Sequence, residues 1–204
     1  MPNIVPTKGN LINLIKQGEL AKLGYELMDR KRNVLIHEMV SHIDGVRTLR
    51  HELEKVYHQA YLALQDANIT LGIVSEIAKS IPLLEDGITL SYKSVMGIEL
   101  PIVKSNFEPV RVRYGIGQTN TKFDFAYKSF LKVRDLTVRL AEVENSVYRL
   151  ANAIRKTKKR ANALKNIVIP RIEADVKFIN DALEEKDREE FIRQKVIKKW
   201  KTEG

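Results

Sequence analysis

Cysteine is absent from the 204-residue chain, which excludes a disulfide framework and any thiolate metal site. Ten glycines, six prolines and an aromatic share of 7% leave little of the turn chemistry and bulky core material that a compact α/β domain uses. No stretch comes near the roughly 18 consecutive apolar residues of a membrane-spanning helix. The first thirty residues lack a signal-like apolar core, because Lys8, Lys16 and Lys22 interrupt it. A soluble chain in a reducing cytosol is the expectation. Site chemistry is equally sparse. The segment Gly115–Lys122, GIGQTNTK, is neither GxxxxGKS/T nor GxGxxG, so nothing there predicts a phosphate cradle. His51 and His58 are seven apart and could share a helix face, but no carboxylate sits with them at a convincing ligand spacing, and they read, with His37 and His42, as solvated helix positions. No catalytic site, cofactor or metal is expected.

What the chain has is charge and period. Charged residues make up 30%, with a net charge of +9. Residues 123–204 carry 20 Lys/Arg against 13 Asp/Glu, whereas 1–81 carry 10 against 9 and 82–122 carry 5 against 4. Over the same C-terminal region, Val133, Leu136, Leu140, Val143, Val147, Leu150 and Ile154 recur in alternating steps of three and four. Thr157, Ala161, Leu164 and Val168 continue the series. One narrow apolar seam suits a partner helix, not a broad core. Beyond Val168 the next members are Ile172 and Val176, so four-residue steps accumulate. They predict a stutter that locally unwinds the supercoil beside Pro170, which itself predicts a kink.

The N-terminal part shows the same texture. After the lead-in MPNIVPT, with Thr7 as N-cap, a helical pattern runs from Lys8 and becomes strict at Val46, Leu49, Leu53 and Val56. Ala60, Ala63, Ala67 and Thr70 follow, small residues that admit a close partner. No proline interrupts residues 8–81, which predicts one helix of roughly 110 Å. Gly18, Gly24, Gly45 and Gly72 fall inside it, each costing about 1 kcal/mol against alanine. Between 82 and 122 the period falls towards two, at Ile88, Leu90 and Tyr92 and again at Val110, Val112 and Tyr114, predicting a small β-hairpin cap. A second long helix is expected over 123–200. The fold class is therefore mainly α: one elongated domain, 1–204, of two very long helices in an antiparallel coiled coil with a small central hairpin. A register with Val46 opposite Ile154, Leu53 opposite Val147 and Ala60 opposite Leu140 sets small residues against large ones. It places Pro170 opposite roughly residue 30, both chain ends at one tip, and the hairpin cap towards the other.

Arg155–Arg160, RKTKKR, is the densest basic run: either a contact for an acidic surface or a solvated helix face. Further on, Phe191, Ile192, Val196 and Trp200 form an apolar stripe, and Glu189–Arg193 has the spacing of a supporting ion pair. On these residues alone, a coiled-coil scaffold, a membrane-surface binder and a basic nucleic-acid-binding rod all stay open. Aromatics for stacking and a recognised module are lacking, which disfavours nucleic acid.

Three segments in order resemble the D subunit of the V-type and A-type rotary ATPases, the central rotor shaft. PTKGNLINLIKQGELAKLGYELMDRKRNVL is similar to that family's N-terminal helix, and VMGIELP, Val95–Pro101, to its central hairpin motif. KRANALKNIVIPRIEADVKFI, Lys159–Ile179, is similar to its C-terminal signature. The resemblance implies a non-catalytic, cofactor-free protein, cytoplasmic and peripheral to the membrane. Its coiled coil would stand in a ring of catalytic A and regulatory B subunits, with the chain ends deepest. A small F subunit would lie along it, and the lower end would meet the subunit capping the membrane ring. The resemblance also implies that Val95, Met96, Gly97 and Ile98 influence ATPase rate. Arg155, Lys158, Lys159 and Arg160 are the candidate contacts with the ring.

Overall fold

The computed structural model describes residues 5–72, 87–105 and 114–203; the predicted strand residues Val110 and Val112 lie outside them. The elements are α1 (Lys8–Leu71), β1 (Ile88–Val95), β2 (Ile98–Ser105), a 3-10 turn (Ile116–Gln118), α2 (Thr121–Ala163), a π-helical turn (Leu164–Val168) and α3 (Ile169–Glu203). Local chemistry sets their limits. The Thr7 hydroxyl accepts the Asn10 N–H at 3.2 Å and caps α1. Gly72, expected inside the helix, instead ends it. Its φ is +77°, a conformation glycine enters without a Cβ clash, and its N–H donates to the Asn68 carbonyl at 3.0 Å. Asn120 caps α2, its Oδ1 accepting the Phe123 N–H at 3.0 Å, while its Nδ2 donates to the Thr70 hydroxyl at 2.9 Å. One side chain thus starts α2 and ties it to the end of α1.

The chain divides into two compact units, Val34–Ile154, and Met1–Asn33 with Arg155–Gly204. Helices α1 and α2 each supply a segment to both. In the unit Val34–Ile154 the helical segments run antiparallel: Arg50 pairs with Glu144 at 2.7 Å, and the Tyr61 ring meets Phe130 edge-on at 5.6 Å. The Val46–Ile154 register does not occur. Ile154 packs on the cluster that contains Leu35, eleven residues before Val46. In the observed register the buried Ala60, Ala63 and Ala67 come level with Phe130, Tyr127 and Phe123. Small residues do face large ones, but the large ones are aromatic.

Tyr114, expected in a strand, is instead part of that aromatic block, its ring 4.8 Å from Phe123 and 5.3 Å from Tyr127. Its hydroxyl donates to Asp124 at 2.5 Å. Burial first, then this bond and the carboxylate's charge, push the phenol well above its ordinary range. A raised folded pKa means the contribution is complete below the unfolded value near 10 and is lost as pH rises beyond it. Tyr114→Phe is therefore expected to cost about 1 kcal/mol at neutral pH and to flatten the alkaline fall in stability, checked by urea denaturation at neutral and alkaline pH.

In the unit formed by Met1–Asn33 and Arg155–Gly204, α1 again runs antiparallel to its partner. A Cβ on Gly18 would stand 3.4 Å from Ile172, and one on Gly24 3.8 Å from Leu164. Lys22 pairs with Glu173 at 2.9 Å. Pro170 therefore lies level with residues 18–24, not with residue 30. The expected stutter is a π turn, in which the Ile169 N–H donates five residues back to the Leu164 carbonyl. The wide turn absorbs one residue and leaves Pro170 in the first turn of α3, where its missing N–H costs least. The seam then passes from Ala161 and Leu164 to the half-buried Ile169, not to the exposed Val168, and resumes at Ile172, Val176, Ile179 and Leu183. One five-residue step replaces the run of four-residue steps. Farther along α3 the Glu189–Arg193 pair is absent among the described residues; Arg188 engages Glu184 and Glu185 instead, both at 3.6 Å.

Candidate functional site

Among the described residues no three His, Asp or Glu side chains gather where they could hold a metal, and no helix is long and apolar enough to cross a membrane. The candidate site is a set of surfaces. The first is the hairpin. β1 and β2 pair from Ile88↔Ser105 to Val95↔Ile98, closed by Met96 at φ 50° and Gly97 at φ 74°. Positive φ at both central residues is the two-residue turn whose twist matches paired strands. Glycine adopts it freely; Met96 does so against its Cβ, with its side chain exposed.

The hairpin is not an end cap. Val95, Ile98 and Met39 pack on a cluster of Leu35, Leu100 and Leu150, so the turn rests against the flanks of α1 and α2. Two charged residues of α2 hold β2 there. Arg149 donates to the Glu99 carbonyl at 2.9 Å and lies 5.5 Å from the Tyr92 ring centre, while the Val103 N–H donates to Glu142 at 3.1 Å. Sequence reasoning missed Glu142 and Arg149. Their signal was there: opposite charges seven residues apart beside the seam, and a proline inside a strand, which requires an edge position.

Of the seam residues named from the sequence, Val133 and Leu150 are buried. Val46, Leu49, Leu53, Val56, Leu136, Leu140, Val143, Val147 and Ile154 are half-buried. The basic run falls in the other unit. Thr157 and Ala161 turn inward, while Arg155, Lys156, Lys158, Lys159 and Arg160 are exposed and form no ion pair among the described residues. Between Asn145 and Ile172 there are eight Lys/Arg and no Asp or Glu, so the side chains of this stretch carry charge of one sign. Lys165 lies 5.6 Å from the Tyr25 ring centre. The third surface is the apolar stripe of Phe191, Ile192, Val196 and Trp200, all exposed.

A family model for the D subunit of ATP synthase matches residues 10–199. The D subunit of the V-type ATP synthase of Thermotoga neapolitana is 43% identical over 198 residues, covering 96% of this chain and 97% of that protein. The D subunit of the A-type ATP synthase of Thermococcus kodakarensis is 38% identical over 201 residues, covering 96% and 94%. That of Pyrococcus furiosus is 36% identical over 206 residues, covering 97% and 96%.

Proposed function

The chain belongs to the ATP synthase D-subunit family, and from that premise we propose that it is the central-stalk rotor of a V/A-type ATP synthase. In this role it carries torque between a ring of catalytic A and regulatory B subunits and the ion-translocating ring in the membrane. It contributes no catalytic group. Its other partners are the small F subunit of the stalk and the subunit capping the membrane ring, and it sits on the cytoplasmic side, peripheral to the bilayer.

The observation that carries this proposal is the pairing of long antiparallel helical segments along an apolar seam, with α2 keeping a largely charged outer face. A shaft turning in a sleeve must bind strongly in no single pose, which favours solvated outer faces over greasy ones. The exposed like charges of Arg155–Arg160 support a ring contact through acidic loops. Replacing Arg155, Lys158 and Lys159 together by glutamate is expected to lower stimulation of a reconstituted A/B ring by roughly tenfold, with helix content unchanged. Unaltered stimulation by the triple variant would remove the basic run from the interface.

A further inference from the structure

Between Leu164 and Ile172 the seam has two routes of equal length. The π turn takes five residues to Ile169 and three more to Ile172; an α-helical route takes four to Val168 and four more. Both routes deliver Ile172 and Val176 to the seam, so the two forms share their ends and differ at the middle seat. They also differ in winding. The π turn takes up the extra residue at one point, whereas the α route spreads it over several turns and unwinds the supercoil.

The surface opposite has room for either seat. A Cβ on Gly18 would stand 3.4 Å from Ile172 and one on Gly24 3.8 Å from Leu164, which sets the half-buried Ala21 level with residues 168–169. Two glycines and an alanine offer no side chain that would fit one of these residues and exclude the other. Beside them Leu14, Ile15, Gly18, Ile169, Ile172 and Val176 line an open groove of about 310 Å³, so a change of seat need not displace a packed neighbour. Pro170 makes the choice. In the α route its ring meets the Asn166 carbonyl and its nitrogen has no hydrogen to offer, a handicap of roughly a hundredfold in population. The extra methylene of Ile169 over Val168 adds only about fourfold to the same preference.

We propose that Leu164–Val168 is a two-state torsional joint: the same residues hold a second, α-helical form with Val168 seated in place of Ile169, and Pro170 keeps the π form. The two seats do not depend on the functional proposal above; their use under torque rests on it. The chain holds no cysteine, so Val168→Cys and Ile169→Cys each give one thiol to label in the full chain. With Pro170 in place the Val168→Cys thiol is expected to label faster than the Ile169→Cys thiol. Pro170→Ala is expected to cut that lead at least about threefold. Adding Val168→Asp to the chain with Ile169→Cys and Pro170→Ala is expected to slow labelling again, because only the π seat is left. A lead that survives Pro170→Ala with helix content unchanged would overturn the joint, as would an Ile169→Cys thiol indifferent to Val168→Asp. For the use under torque, reconstituted ATP synthase carrying Val168→Asp is expected to turn over ATP at least about twofold more slowly than one carrying Ile167→Asp, an equal charge at an exposed residue that seats in neither form. Equal turnover would overturn that use and leave the two seats standing. A wild-type chain that fails to enter the complex would overturn the functional proposal.

Discussion

Truncating Leu150 to alanine is expected to lower the unfolding free energy by about 3 kcal/mol. Leu150 and Leu35 have no exposed surface and Leu100 has 4%, so α2, α1 and β2 each give one leucine to a single cluster. The smaller residue loses transfer energy and leaves a cavity, and its neighbours are fixed by three separate elements that cannot all close in. The same loss removes the floor beneath the hairpin, so β2 amides should exchange faster in Leu150→Ala than in wild type. An exposed control, Leu62→Ala, should stay within about 0.5 kcal/mol of wild type. The measurement is the denaturation midpoint at unchanged m-value. A Leu150→Ala midpoint indistinguishable from that of Leu62→Ala would mean the cluster does not anchor the hairpin.

Deleting Ile167 in a Pro170→Ala background is expected to cost less than about 1 kcal/mol, whereas deleting Lys156 is expected to cost several kcal/mol or to prevent folding. Both residues are exposed and helical; they differ in what lies around them. The π turn holds one residue more than an α turn over the same span. Removing the 65%-exposed Ile167 brings Ile169 four residues after Leu164 and keeps Ile172, Val176 and Ile179 on the seam. The proline must go as well. Without the wide turn its ring would meet a carbonyl four residues back, at about 3 kcal/mol. Deleting Lys156 has no outlet at its own position, because it turns Thr157, Ala161 and Leu164, all before the π turn, by about 100° off the seam. Thermal denaturation of the two variants decides the matter: equal losses would mean that the π turn is not the site of the extra residue.

Much of the fold was legible because its causes are local. Thr7 as N-cap, the start of α2 within two residues of 123, the alternation of Ile88, Leu90 and Tyr92, and the apolar seam all depend on neighbours a few residues away. What was illegible depends on residues far apart. A repeating seam looks alike at every seam step, so periodicity could not choose between Ile154 beside Val46 and Ile154 beside the Leu35 cluster. The hairpin's place on the helix flank rests on Arg149 with Glu99 and Glu142 with Val103, pairs 50 and 39 residues apart. Near Pro170 the sequence announced a break in phase but not its form, since a stutter and a π turn both shift a seam and only burial tells Ile169 from Val168. The basic run is legible as charge alone; which partner it meets is written in that partner's surface.

The alanine–aromatic block also bears on how the helix pair resists force. A uniform leucine seam offers a second minimum after every seven-residue shift, about 10 Å along the axis, so shear along it can be relieved by creep. Here that minimum is blocked in one direction. Moved one heptad towards the start of α1, the Phe130 ring would meet Leu53 in place of Ala60, and bulk would collide with bulk. Phe123 against Ala67, with Tyr127 packed beside them, and Phe130 against Tyr61 therefore oppose a slip in that direction.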